Sequence, residues 1–313
     1  MIRALFGKRS AADNAVSVPV NLLFNILFIL GVVICVYPFL LVIGVSFSER
    51  KDVIEYGYRI IPVTFTAESY KYIFAFGNSI IRAYGVTIFV TLTGTILHLL
   101  IVSMFSYPLS RPEFEFRKGF TTFVLIPMFF SGGLVPWYLV NTQLLRIQNT
   151  VLALIIPYAF SIYNVMMMRV FIKKNIPDEM IESARIDGST EFNTYLKIVL
   201  PLSKAGLAAV GYMVALSYWN DWWLPLILIS DNDKLYNLQY MLYRIINLHN
   251  ILTQMIRSAT PGTLDASQML KQNIPQESVR MAMAVIATGP ILIAYPFFQK
   301  NFVKGLVVGS LKG

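Results

Sequence analysis

Residues 175–201 read NIPDEMIESARIDGSTEFNTYLKIVLP, a polar and charged hinge set between two long apolar segments. Pro177 suits the first turn of a helix, where its missing N–H costs nothing. Asp178, Glu179 and Glu182 follow near that N-terminus, where the macrodipole favours negative charge. Ser183 and Ala184 keep one face small enough for another surface to approach closely. After Asp187, Gly188 is placed to end the helix, since glycine takes the left-handed conformation of a C-terminal cap without steric penalty. Ser189 or Thr190 then caps a second helix. In it Phe192, Tyr195, Leu196 and Val199 recur at i, i+3, i+4 and i+7, one apolar face. Pro201 closes it. The stretch predicts a short helix–turn–helix lying at a membrane surface with its acidic end exposed.

Outward from the hinge the chain is suited to lipid. Hydrophobic residues are 56% of the 313 and charged ones 14%, with a mean hydropathy of +0.60; so low a charge content lies outside the soluble range. Towards the N-terminus a span is predicted over about 151–172, with Met166, Met167 and Met168 as core filler. Before it comes a span over about 120–140, interrupted by Ser131-Gly132-Gly133 and by Pro136. Two glycines and a proline imply unwound backbone, tolerated only against protein or a wet cavity. A further span covers about 80–109. The first, about 18–45, exceeds a signal-peptide core and lacks a small-residue cleavage site, so it is read as uncleaved. Residues 1–18 form a basic cytoplasmic tail. Beyond the hinge, a fifth span over about 205–228 contains Trp219-Asn220-Asp221-Trp222-Trp223, and a sixth covers about 281–298. Two long outer segments remain, 46–78 and 230–278. Thr66 is placed to cap an interfacial helix in the first, and Leu235, Leu238, Met241, Leu242, Ile245 and Ile246 mark an amphipathic helix in the second.

Charge sets the topology. The short turns after the second and fourth spans carry Arg111, Arg117, Lys118, Lys173, Lys174, Arg185, Lys197 and Lys204, while the short outer loop 141–150 carries only Arg146. The positive-inside rule then puts both termini in the cytoplasm of an all-α, polytopic protein with six transmembrane helices. A net charge of +9 would suggest nucleic acid in a soluble domain, but here the positives fall between spans and no nucleic-acid partner is expected. The one cysteine, Cys35, sits in an apolar run, and His98 and His249 stand apart, so no disulfide framework or metal site is expected. No phosphate-binding loop of the G-x-x-x-x-G-K-[ST] kind is present, so the chain is not expected to hydrolyse ATP or bind a cofactor.

The order Glu182-Ser183-Ala184, Gly188, then Ile198-x-Leu200-Pro201 resembles the EAA loop of ABC-importer permeases, with Ser183 where alanine is usual. The run 128–136, MFFSGGLVP, the span end Tyr107-Pro108-Leu109-Ser110-Arg111 and the C-terminal 302–305 and 312–313 are similar to the maltose-permease-like carbohydrate subgroup of lipoprotein/oligosaccharide type. The resemblance implies the type I importer permease fold in a bacterial cytoplasmic (inner) membrane. It also implies a second homologous permease, two ATPase subunits holding ATP and Mg, an extracytoplasmic sugar-binding protein, and a saccharide as solute. The hinge would be the coupling helix that docks into the ATPase, its contact residues drawn from Glu182, Ser183, Ala184, Asp187, Gly188, Phe192, Ile198, Leu200 and Pro201.

Phe192, Tyr195 and Leu196 either face the ATPase or pack on their own spans; the pattern alone does not separate these. Asn220 and Asp221, with Trp219 and the Gly132–Gly133 break, are candidates for the translocation pathway, because an acid in a span is functional by default. Capping of a broken helix is an equal reading for Asp221, and an interfacial belt the preferred one for the tryptophans. A secondary transporter would need ionisable residues and broken helices in matched positions; Asp221 is unmatched. An intramembrane enzyme would need paired acid, nucleophile–base or metal residues, and none is visible in the spans. A non-sugar ABC permease is the remaining alternative.

Overall fold

The computed structural model of the protein describes residues 18–75, 77–130, 132–247, 277–292 and 296. The expected tail before Val18, Ser131, His249 with most of the outer segment 230–278, the far end of the sixth span and the C-terminal 302–313 lie outside these residues. The chain divides into two units, Met1–Lys71 with Asn273–Val285 and Tyr72–Gln272 with Ile286–Gly313. Among the described residues the structure is helical, with one antiparallel bridge between Ser48 and Phe65.

The first unit begins with α1 (Val18–Ser46), 29 residues without a charge. At ~1.5 Å per residue it is about 43 Å long, enough to cross a ~30 Å hydrocarbon layer with tilt. Its apolar side chains are exposed along most of that length, a surface that soluble monomers do not leave open. Beyond it Phe47 stacks between Phe65 and Tyr70, with ring centroids 4.9 and 4.7 Å away. Two short helices come next, α2 (Arg50–Tyr56) and α3 (Glu68–Phe74). The Thr66 hydroxyl accepts the N–H of Glu68 at 3.2 Å, the capping role expected of it. Ser278 Oγ donates to the Ser48 carbonyl at 2.9 Å, joining the two pieces of the unit.

The second unit is built on α4 (Asn78–Ser110), 33 residues long. Next come α5 (Arg117–Phe129) and α6 (Leu134–Leu144), bent by 115° to one another, then α7 (Leu152–Tyr158) and α8 (Ile162–Asn175), bent by 51°. The hinge supplies α9 (Asp178–Ile186) and α10 (Glu191–Leu202), which meets α11 (Lys204–Trp219) at 76°. Last in this unit are α12 (Trp223–Leu228) and α13 over 238–247, while α14 over 277–292 belongs to the first unit as far as Val285 and to the second from Ile286. The buried stripe of α4 includes Thr87, Gly94, His98, Val102 and Ser106. Such small and hydroxyl-bearing residues let helices approach closely where lipid gives no hydrophobic drive. On that stripe pack α8 and α11, and Leu154, Met168, Ile172, Leu224 and Leu228 complete a core that is fully buried.

A β-carbon at Gly94 would lie 2.4–2.7 Å from the ring of Tyr218, which is itself buried and donates its hydroxyl to the Ile155 carbonyl at 2.7 Å. Gly94→Val should therefore overpack the α4–α11 contact at a cost of roughly 1–3 kcal/mol. The detergent-solubilised variant should unfold several degrees below the parent. An unchanged Tm would mean that the two helices do not meet at this residue.

The interruption expected in the third span is the α5–α6 bend. The fourth differs from expectation: rather than one helix over 151–172, it breaks at Ala159–Ser161. Pro157 withholds a donor and distorts the turn before the break, and Ser161 starts the next helix by accepting the N–H of Asn164 at 3.4 Å. Pro201 also departs from expectation. The second hinge helix runs through it to Leu202, because a π-turn over Tyr195–Val199 precedes it and Pro201 sits at the start of the next helical segment. Among the described residues only α1 and α4 can cross a membrane as single helices, and counting each bent pair as one span gives up to five. Of the sixth, expected over about 281–298, the part up to 292 is helical in α14, and 293–295 and 297–298 lie outside the described residues.

Candidate functional site

Pro177 stands just before α9 rather than in its first turn, with Asp178 and Glu179 in that turn and Arg185 in the last. The helix ends by main-chain bonds. Ser189 N–H reaches the Ala184 carbonyl at 2.9 Å and Gly188 N–H the Arg185 carbonyl at 3.0 Å, the paired bonds of a Schellman cap. Gly188 has φ +79° and its missing β-carbon would meet nothing within 4 Å. The demand for glycine is thus torsional, roughly 1–2 kcal/mol for another residue. Thr190, rather than Ser189, caps α10, accepting the N–H of Asn193 at 3.3 Å.

Burial sorts the hinge into two sides. Ile181, Ala184, Thr194, Tyr195 and Val199 are turned inward, Ile198 and Leu200 are half-buried, and Pro201 is exposed. Glu182, Ser183, Asp187 and Gly188 are exposed, beside apolar side chains that also face outward: Ile186 at 86%, Phe192 at 59%, Met180 at 44% and Leu196 at 41% exposure. Acids interleaved with bare apolar groups form a surface suited to a basic, grooved partner. The face expected from Phe192, Tyr195, Leu196 and Val199 is therefore split. Phe192 and Leu196 point out; Tyr195 and Val199 pack.

The inward side is fastened to the end of α4. Arg111 Nη1 donates to Asp178 Oδ1 at 2.5 Å; the Arg111 side chain is 6% exposed and that of Asp178 53%. Such a half-screened pair falls between the ~0–1 kcal/mol of a surface bridge and the ~3–5 kcal/mol lost when a buried one is broken. The Arg111 guanidinium lies 5.6 Å from the Tyr107 ring centroid. Tyr107 Oη donates to Glu191 Oε2 at 2.9 Å, and Arg185 Nη2 donates to Glu191 Oε1 at 2.8 Å. Burial alone would raise the Glu191 carboxyl, but the hydrogen bonds from Arg185 and Tyr107 and the charges of Arg185 and Arg111 hold it below its ordinary value. Nearby, the Tyr195 and Ser103 hydroxyls share a 2.7 Å bond, and Arg169 Nε donates to the Leu109 carbonyl at 2.9 Å. A cleft of about 430 Å3, lined by Met104, Phe114 and Phe192 with Arg111, Arg185 and Glu191, opens at this junction. By sequence, Arg185 registers only as a topology charge, Arg111 as that and as the end of the Tyr107–Arg111 motif, and nothing marks Tyr107 and Glu191 as partners. One signal was available: Tyr107 and Arg111 stand four apart on a last helical turn and so share a face.

Asp221 fills the break between α11 and α12. Its Oδ1 accepts the N–H of Trp223 at 3.1 Å, the N–H of Leu224 at 3.2 Å and the Tyr158 hydroxyl at 3.3 Å. Its carbonyl accepts from Asn237 Nδ2 at 2.5 Å. This is the capping geometry that the residue pattern leaves level with a pathway role. Trp219 is buried, its indole N–H donating to the Ala287 carbonyl at 2.9 Å, so it offers no face to a solute in this conformation. Asn220 is exposed and bonds back to the Leu216 carbonyl at 3.0 Å. Gly132 and Gly133 sit exposed at the α5–α6 bend, Gly133 with φ +83°. His98, from α4, straddles the α7–α8 break: Nδ1 lies 2.7 Å from the Tyr158 carbonyl and Nε2 2.9 Å from Asn164 Nδ2. That pairing fits an imidazole protonated on Nδ1 and makes His98 a packed polar residue between helices.

No family model matches the chain. Among characterised proteins it is 37% identical over 290 residues to protein LplC of Bacillus subtilis, covering 92% of this chain and 94% of that one. It is 36% identical over 281 residues to the polygalacturonan/rhamnogalacturonan transport system permease protein YtcP of the same organism, covering 90% and 93%. The arabinooligosaccharides transport system permease protein AraQ of Halalkalibacterium halodurans is 29% identical, covering 90% and 92%. Among solved structures, a bacterial ABC transporter that imports the acidic polysaccharide alginate shares the fold, with a TM-score of 0.72 and 23% identity over 94% of this chain and 100% of that one. With relatives above 30% identity matched over nearly their whole length, and a polar hinge lashed to the end of a membrane-spanning helix, the chain belongs to the family of carbohydrate ABC-importer permeases.

Proposed function

We propose that this chain is one permease subunit of an oligosaccharide importer in the bacterial cytoplasmic membrane, with both termini in the cytoplasm. It pairs with a second homologous permease and with two ATPase subunits that hold ATP and Mg, and it receives solute from an extracytoplasmic sugar-binding protein. The observation that carries this reading is that α9 and α10 leave Glu182, Ile186 and Phe192 exposed while their inward residues are locked onto α4. In this reading Glu182, Ser183, Asp187, Gly188 and Phe192 meet the ATPase. Ala184, Ile198, Leu200 and Pro201 shape the loop behind them. The outer segments 46–78 and 230–278 receive the binding protein. The unwound stretches Gly132–Gly133 and Asn220–Asp221 lie along the pathway as backbone lining it rather than as side chains gripping sugar, since such backbone is stable at membrane depth only against protein or water.

The solute class is drawn from the relatives. One is named for polygalacturonan and rhamnogalacturonan transport and the structural neighbour imports alginate, so polyuronate oligosaccharides head the panel. Affinity-tagged protein purified from its own host should bring an ATPase with it. The reconstituted complex with its binding protein should hydrolyse ATP faster in galacturonan oligosaccharides than in trehalose or arabino-oligosaccharides. Purification without an ATPase would remove the importer reading. Stimulation by phosphate, a polyamine or an amino acid in place of every saccharide would leave a permease for a different solute.

A further inference from the structure

The hinge is joined covalently to α8 and α11, yet its tightest polar links run to neither. They run to α4: to Tyr107 in its last turn and to Arg111 just after it, 84 and 67 residues away in sequence, and further back along the helix to Ser103, whose hydroxyl shares a 2.7 Å bond with that of Tyr195. Each hinge helix has its own link, Asp178 of α9 to Arg111 and Glu191 of α10 to Tyr107, and the Arg185–Glu191 pair ties the two hinge helices together. Arg111 is buried, and its Nε and Nη2 have no hydrogen-bond partner among the described residues. Asp178 and the Tyr107 ring are therefore what hold its charge in place.

Resting on the coupling reading above, we propose that Tyr107 and Arg111 are the positioning residues through which motion of the hinge enters α4. The covalent neighbours are poor conductors of that motion. Both have breaks, at Ala159–Ser161 before α8 and at Asn220–Trp222 after α11, where a displacement is absorbed by rotation of a few residues. By contrast α4 runs unbroken from Asn78 to Ser110, so a shift at its end is delivered along its whole length. The side-chain links let the motor move that helix directly.

The test uses the assembled importer with Cys35→Ser, spin-labelled at Asn193→Cys in α10 and Leu100→Cys in α4, both exposed positions. Distances between labels are measured without nucleotide and after trapping with ATP and vanadate. The parent should keep one narrow distance in both states, because α4 travels with the hinge. In Tyr107→Phe, which keeps the ring and loses the bond to Glu191, the distance should shift on trapping and its distribution broaden. Arg111→Gln should do the same, and Arg111→Lys should restore the parent behaviour in part. A structural pin alone would lower Tm in these variants and leave the distances alike in both nucleotide states, which would overturn the proposal. So would a parent distance that changes on trapping. Should Gly188→Pro uncouple the complex while Tyr107→Phe leaves the distances as in the parent, this inference fails and the coupling reading stands. A purified complex without an ATPase would remove both.

Discussion

Glu182→Lys in the assembled importer should leave ATP hydrolysis running while solute uptake collapses. Glu182 is exposed, makes no described ion pair and lies outside the bonds that close the turn, so the substitution spares the fold and changes only what the hinge presents. Reversing an acid that meets a basic partner costs roughly 2–5 kcal/mol, more than about tenfold in occupancy of the docked state. Gly188→Pro attacks the same function from the backbone. Proline fixes φ near −65° where Gly188 holds +79°, and it deletes the N–H that bonds the Arg185 carbonyl. The two hinge helices should then lose their mutual angle while the spans still insert. Uptake per ATP hydrolysed, measured in proteoliposomes, should fall at least about tenfold for either variant. Unaltered transport in both would leave the hinge without a role in coupling.

Asp221→Ala should produce the second large effect, on stability. The carboxylate is buried and serves three donors at once: two amides of α12 and the Tyr158 hydroxyl. Each donor stranded away from water costs roughly 1–3 kcal/mol, so the loss should be several kcal/mol and visible as a markedly lower Tm and faster proteolysis in detergent. Asp221→Asn keeps an oxygen acceptor and should lose much less. A pathway role gives the opposite pattern: Asp221→Asn would cut uptake while Asp221→Ala left Tm near that of the parent.

Much of the fold is legible because lipid imposes strict rules. Long uncharged runs must be helices, and α1 and α4 begin and end close to where the apolar stretches at 18–45 and 80–109 do. Gly188 and Thr190 announce their caps by residue type, and the structure uses both. The break in the fourth span is harder to see. Both halves of 151–172 are apolar, so hydropathy runs straight across it, and only Pro157 and Ser161 mark the place. The splitting of the Phe192–Val199 face has another cause. At about 100° per residue, Tyr195 and Val199 lie along one edge of the apolar stripe and Phe192 and Leu196 along the other, and only the first edge meets the core. The anchor was out of reach for a different reason. Nothing local in a single sequence pairs Arg111 with Asp178, or Tyr107 with Glu191, across more than sixty residues.

The cap that ends α9 closes main chain to main chain, through the carbonyls of Ala184 and Arg185, and the Arg185–Glu191 pair braces α9 and α10 across it. That cap demands one residue type, glycine at Gly188, and the exposed side chains of Ser183, Ile186 and Asp187 take no part in its bonds. On the coupling reading proposed above, a lineage of such proteins can retune which motor it accepts by drift at those three positions, without relearning the shape that bears the load.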